Sequence, residues 1–373
     1  MEKPTKPRLT DAMGKALSLV RQSNLAEATA LLREALSGEA AQSHDQTFDA
    51  SPPAPGRAFA PPPRRRLGDV LRALRDRPAM PQGAPSEAEP AHDFGERFLK
   101  RVYRGPEGSL GYHLYLPADR ERRDVALVLM LHGCTQTPED FALGTQMNGL
   151  ADEFGLIVAY PRQPRRANPS GCWNWFDPRH QNRGSGEPAR LAGLAQALAK
   201  EFGVARGRIF AAGLSAGGAM AEILAATYPD VFAAVGVHSG LPYRSAVDVP
   251  SAFAAMKGAT AREPAQPVAS DRRGRKIIIH GLADGTVNPV NGERILAEAE
   301  RGAPLKRSDF DWETAGARIG RTVLEDDEGR PVVERWQVEG GGHAWFGGDP
   351  RGSYTQTVGL DASRVMVRFF LQE

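Results

Sequence analysis

Cysteine is scarce in this 373-residue chain, which holds only Cys134 and Cys172. Two thiols exclude a disulfide-built scaffold and a four-cysteine zinc site, and leave room for one bridge. Long apolar runs are missing as well. The longest, "VALVLML" and "GLIVAY", have strand length, well short of the ~18 residues a membrane-spanning helix needs, so the chain is not expected to be transmembrane. Neither sign of charge dominates: 47 Lys and Arg stand against 45 Asp and Glu, a net +2 that gives no global reason to expect nucleic acid as a partner. The first twenty residues, "MEKPTKPRLTDAMGKALSLV", contain no continuous apolar core and no small-residue cleavage site. A secretory signal peptide is therefore not expected, and the cytoplasm is the default compartment.

What is present falls into three stretches. In residues 1–37, apolar positions at helical spacing on either side of "QSN" predict a small helical hairpin, with Asn24 as N-cap, Glu27 reaching back to it, and Gly38 as the stop. Residues 38–92 turn polar and proline-rich ("SPPAPGRAFAPPP", "PAMPQGAPSEAEP") and read as linker. One island interrupts the linker: "RRRLGDVLRALRDR", residues 64–77, carries six arginines and places Leu67, Val70, Leu71 and Leu74 on one helical face. Such a helix suits an anionic granule or lipid surface, or else packs on the main domain with its arginines solvated. From residue 93 to 373, short β-rich segments ("YHLYLP", "ALVLMLHG", "GLIVAYP", "RIFAAG", "FAAVGVHSG", "KIIIHG", "ERWQVEG") alternate with helical patterns. This alternation predicts an α/β domain with a mostly parallel sheet and helices on both faces.

The chemistry concentrates in "GLSAGGAM". Residues 213–217 spell G-x-S-x-G between a strand and a helix, the setting in which the central serine of a nucleophile elbow stands clear of the sheet. Serine is a weak nucleophile unless an imidazole takes its proton and a carboxylate orients the imidazole, in the chain order Ser, acid, His for this kind of fold. Three histidines follow Ser215: His238 and His280 come early, at strand ends, whereas His343 lies in the glycine-rich "VEGGGHAWFGG" after the last strand, where a freely turning backbone could bring the ring over the serine. For the acid, Asp284 follows the strand "KIIIHG", while Asp311, Asp326 and Asp327 sit in charged hairpin sequence. The catalytic set expected is Ser215, Asp284 and His343. An oxyanion hole needs two amides, expected from Ala216 after the nucleophile and Cys134 after "LVLMLHG", with Thr135 or Gln136 next in line.

Taken together and in this order, "LHGCTQTPEDFA", "SGCWNWFDPRHQNRGSGEPA", "GLSAGGAMA", "HSGLPY", "HGLADGTVNPVNG" and "GGGHAWFGG" make residues 93–373 resemble the short-chain polyhydroxyalkanoate (polyhydroxybutyrate) depolymerase family, whose relatives include feruloyl and acetylxylan esterases. The resemblance implies an α/β-hydrolase fold and a cofactor-free, metal-free serine esterase acting on hydroxybutyrate-type oligomer or polyester bonds. The rival readings are a feruloyl or acetylxylan esterase, and a noncatalytic granule- or membrane-surface protein. By the same resemblance Ser215, Asp284 and His343 fall on the triad and Cys134 on the oxyanion position. Trp173 and Asn174 of "CWNWF" are expected to line the cleft, with Trp345 beside the histidine. Secreted members of the family suggest an extracellular alternative to the cytoplasm. The chain departs from them in showing no signal peptide and no polymer-binding domain, so soluble oligomers are favoured over crystalline polymer. Because the two cysteines sit in segments expected to frame the active-site mouth, a Cys134–Cys172 bridge is also expected.

Overall fold

Strands built almost wholly of aliphatic residues organise this chain. The computed structural model describes residues 94–119, 124–259, 274–301, 304–314, 316–357 and 359–372; the expected hairpin (1–37), linker (38–92) and basic segment (64–77) lie outside the described residues. A hairpin of β1 (Phe98–Gly105) and β2 (Gly108–Tyr115) leads into β3 (Ala126–Leu131). Next come α1 (Pro138–Thr145), α2 (Met147–Phe154), β4 (Leu156–Pro161), α3 (Gly186–Phe202), β5 (Ile209–Leu214), α4 (Ala216–Thr227) and β6 (Ala234–His238). The chain continues through α5 (Val249–Met256), β7 (Arg275–Gly281), α6 (Val290–Glu300), β8 (Lys306–Thr314), β9 (Ala317–Glu325) and β10 (Pro331–Val338). It closes with the short pair β11 (Trp345–Phe346) and β12 (Thr355–Gln356) and with α7 (Ala362–Leu371).

Ten strands form one sheet in the order β1-β2-β4-β3-β5-β6-β7-β10-β9-β8. Pairing is parallel from β4 through β10 and antiparallel at both margins. The parallel strands β3, β4 and β5 are buried along their whole length, which is why they read as unbroken apolar runs. Alternate side chains of β3 feed two core layers. Leu127, Leu129 and Leu131 pack with α3 and α4, whereas Ala126, Val128 and Met130 pack with α1, α2 and α7. Burying a leucine of this kind stabilises the fold by about 1.5–3 kcal/mol. Among the described residues no helix is long and apolar enough to cross a membrane.

The α4 layer also carries charge. Glu222, buried on α4, pairs with Lys276 on β7. Burial, and then repulsion from Glu222, push the Glu298 carboxyl on α6 up to about 7 from its ordinary 4.5. An acid held neutral by the fold favours folding fully below its unfolded pKa, and that contribution is lost as pH rises through the folded value. Thermal stability should therefore fall between about pH 4.5 and 7 from this group. Glu298→Gln should flatten that part of the profile and raise Tm at pH 8; melting curves that stay parallel for both proteins would refute it.

Candidate active site

Four chain segments converge at the carboxyl ends of parallel strands, where open α/β sheets build their sites: the turns after β3, β5, β7 and β10. The turn after β5 carries Ser215, half-buried, with φ 57° and ψ −117°. A non-glycine residue is seldom held there, and the flanking glycines make it feasible. A Cβ on Gly213 would lie 2.4 Å from the Gly217 carbonyl carbon, and one on Gly217 only 2.0 Å from the Leu131 carbonyl oxygen. The elbow is thus pressed against the end of β3. Beside it, a Cβ on Gly133 would lie 3.7 Å from that of Ser215.

Asp284 and His343 meet. The imidazole Nδ1 of His343 lies 2.8 Å from Asp284 Oδ2, while Oδ1 accepts the backbone amides of Thr286 (2.9 Å) and Val287 (2.8 Å). His280 also attends this carboxylate. Its Nε2 donates to the Val287 carbonyl at 2.9 Å and stands 3.5 Å from Asp284 Oδ2. Burial pushes the Asp284 carboxyl up, but the nearby His280 and the hydrogen-bonded His343 prevail and hold it well below the usual carboxylate range. Asp284 is therefore ionised at neutral pH, able to fix the His343 tautomer and stabilise an imidazolium. Asp311 and Asp326 stand instead in ion pairs with Arg318 and Arg330.

His280 is more than a strand-end histidine, since it is four residues ahead of Asp284 and the turn after β7 folds the two together. His238 plays a different part. Burial, reinforced by His280 and His343, keeps it neutral, and its Nε2 accepts the Phe346 amide at 3.3 Å while its ring stacks 5.0 Å from Trp345. It thereby braces the segment that bears His343. That segment is also tied by β11–β12 pairing and by Gly342 N–H to Gln356 Oε1 (3.0 Å). Two glycines of "GGGH" have separate uses: Gly340 turns the chain at φ 70°, and Gly341 allows close approach, since a Cβ there would lie 2.7 Å from the Phe346 ring.

In the turn after β3, Gly133 N–H donates to Gln136 Oε1 (2.9 Å) and Thr135 N–H to the Ser170 carbonyl (2.8 Å), so both of these amides are engaged elsewhere. Ala216 opens α4, where the first amides of a helix have no intrahelical acceptor. Cys134 and Ala216 stay the candidate oxyanion donors. The Gly133–Cys134 peptide is oriented from behind: His132, whose pKa burial lowers to about 4, uses Nδ1–H to bond the Gly133 carbonyl (2.8 Å) and accepts Gln163 N–H on Nε2 (3.2 Å). Gln163 in turn donates to the Cys172 carbonyl (2.9 Å) and to buried Glu187 (2.6 Å). Cys134 and Cys172 are joined in a disulfide of 2.06 Å. Nothing in the sequence pattern singles out Gln163 or Glu187; only the three-dimensional network does.

Two expected cleft residues are placed elsewhere. Trp173 is fully buried, its indole N–H donating to the His132 carbonyl at 3.1 Å, so it packs beneath the turn after β3 and presents no surface to a cleft. Trp345 is likewise buried between His238 and Phe141 and donates to Ser363 Oγ (3.0 Å). Large rings in loops over a parallel sheet gain more from filling the core than from facing water, which explains both corrections. Asn174 is half-buried, with its side-chain amide on Glu187 (2.7 Å). Among the described residues no group of three or more His, Cys, Asp or Glu is placed to hold a metal ion.

Residues 110–322 match the model of a family described as Esterase PHB depolymerase. Poly(3-hydroxyalkanoate) depolymerase C from Paucimonas lemoignei is 32% identical over 226 residues, covering 58% of this chain and 54% of the relative. Feruloyl esterase B from Neurospora crassa is 30% identical over 199 residues, covering 48% of this chain and 64% of the relative. The matches thus span between half and two thirds of these relatives' lengths. A solved acetyl xylan esterase from Aspergillus awamori superposes with a TM-score of 0.56 at 22% identity, covering 73% of this chain and 98% of that one. This last likeness concerns the fold alone, an α/β fold with a mostly parallel central sheet.

Proposed function

Because this chain belongs to the Esterase PHB depolymerase family, we propose that it is a serine esterase that cleaves short-chain hydroxyalkanoate ester bonds through an acyl-enzyme. The observation that carries the proposal is the Asp284–His343 hydrogen bond of 2.8 Å at the same end of the sheet as the Ser215 elbow. In this reading Ser215 Oγ attacks the ester carbonyl carbon and its proton passes to His343 Nε2. The Cys134 and Ala216 amides hold the tetrahedral oxyanion, and each such donor is worth about 2.7–4 kcal/mol in comparable sites. The alcohol then departs with the proton from His343. Water, deprotonated by the same imidazole, attacks the acyl carbon and regenerates Ser215.

The hydroxyalkanoate assignment draws on the likeness to poly(3-hydroxyalkanoate) depolymerase C, and the likeness to feruloyl esterase B supplies the rival. Residues 64–77 are offered as the attachment to an anionic granule or lipid coat. The test is a hydrolysis panel of hydroxybutyrate oligomers, short acyl esters, amorphous and crystalline polymer, and methyl ferulate. The expected order is rapid turnover of the soluble oligomers and short esters, slower attack on amorphous granules, and almost none on crystalline film. Methyl ferulate cleaved in preference to the oligomers would replace the substrate half of the proposal, and no turnover of any ester would end it.

A further inference from the structure

Tyr354 is an exposed aromatic residue in an uncommon backbone state, with φ 51° and 47% of its surface accessible. A bulky side chain at positive φ is held there only when its surroundings over-determine it. They do so here. The Tyr354 carbonyl accepts Trp345 N–H at 2.7 Å; Ser353 beside it receives Gln136 Nε2–H on its carbonyl (3.0 Å) and donates its amide to Asp140 Oδ1 (2.8 Å). The tip that carries Tyr354 is thus strapped both to the His343 segment and to the start of α1.

The ring reaches the two halves of the candidate machinery at once. Its centroid lies 6.4 Å from that of His343, edge to face at 80°, and its hydroxyl lies 3.3 Å from Thr135 Oγ1, next to the Cys134 amide. Thr135 spends its own hydroxyl proton on the Cys134 carbonyl (2.6 Å), so Tyr354 is the donor of the second bond. The ring therefore bridges the base and the oxyanion turn with a face open to solvent.

We infer that Tyr354 forms the wall against which the alcohol half of the ester rests, and that it selects esters of bulky, branched or aryl alcohols over methyl esters. The inference rests on the serine-esterase reading. In that reading the alcohol leaves from the imidazole side, because His343 delivers its proton, and Tyr354 is the exposed ring on that side. The acyl half, once bound to Ser215, no longer shares the site with the alcohol. Any selection among alcohols by Tyr354 is therefore exerted in acylation.

The experiment keeps the acyl group constant and varies the alcohol: methyl, isopropyl and phenyl butyrate with wild type, Tyr354→Ala and Tyr354→Phe. Tyr354→Ala should lower kcat/KM for the isopropyl and phenyl esters at least tenfold more than it lowers kcat/KM for methyl butyrate. Tyr354→Phe should keep most of the preference, because the ring and not the hydroxyl makes the wall. An equal loss across all three alcohols, or no loss at all, would leave the ratio between them unchanged, mark Tyr354 as a structural strap and overturn the inference. A wild type that turns over none of the esters would overturn the serine-esterase reading and this inference with it.

Discussion

Ser215→Ala and His343→Ala should each lower kcat on a soluble ester by about 10⁶-fold, and Asp284→Asn by about 10⁴-fold, with folding intact. The three act as a unit, so double variants should lose little more than the worst single one. The smaller effect of Asp284→Asn has a local cause. An asparagine can still accept the Thr286 and Val287 amides that hold the carboxylate, but it brings no charge to stabilise an imidazolium and can present His343 with a donor instead of an acceptor. Steady-state kinetics and melting curves on the purified variants decide this. Near-normal turnover by Asp284→Asn would show that another group orients the base.

Breaking the Cys134–Cys172 bridge should cost both stability and rate. The cysteines are 38 positions apart, and closing a loop of that length contributes up to ~4 kcal/mol in the chain-entropy account. The rate effect follows from position. Cys134 carries one of the two amides proposed for the oxyanion, and the bridge ties it to a segment whose Cys172 carbonyl is held by Gln163. With the bridge opened by Cys172→Ser, kcat should fall tenfold or more and KM much less, since the amide acts on the transition state. Full activity with both thiols alkylated would reject any such role. Bridges of this kind persist in oxidising compartments and are rare in the cytosol. The mass of protein alkylated directly from its source therefore also tests the cytoplasmic expectation drawn from the N-terminal sequence.

Legibility in the sequence followed burial. Strands β3 through β7 announced themselves because both faces are covered and each carries an apolar run, "III" in β7 included. Strand β8, "KRSDFDWET", is exposed along nearly its whole length and pairs only with β9, so its only apolar signal is the short alternation of Phe310 and Trp312 with Asp309, Asp311 and Glu313. Ser215 and Asp284 were legible because strand-to-turn boundaries mark them. His280 was passed over as a strand-end histidine that came too early in chain order, although its spacing of four from Asp284 was in plain view; the fold of the intervening turn makes them neighbours. Trp173 and Trp345 show the opposite error. Their place in site-bearing loops was readable, but whether a loop side chain points into the core or into the cleft depends on contacts such as the Trp173 bond to His132. Tyr354, past the last motif, was not singled out, because its approach to His343 depends on the strap between Ser353 and Asp140.

The claim that everything else rests on is that Ser215 is an activated nucleophile. A fluorophosphonate probe followed by peptide mapping tests it most directly, because the reagent requires a serine whose proton is removed by a neighbouring base. The account predicts one label per chain, on the peptide bearing Ser215, absent from Ser215→Ala and strongly slowed in His343→Ala. A well-folded protein that takes up no label, or takes it up on another residue, would contradict it.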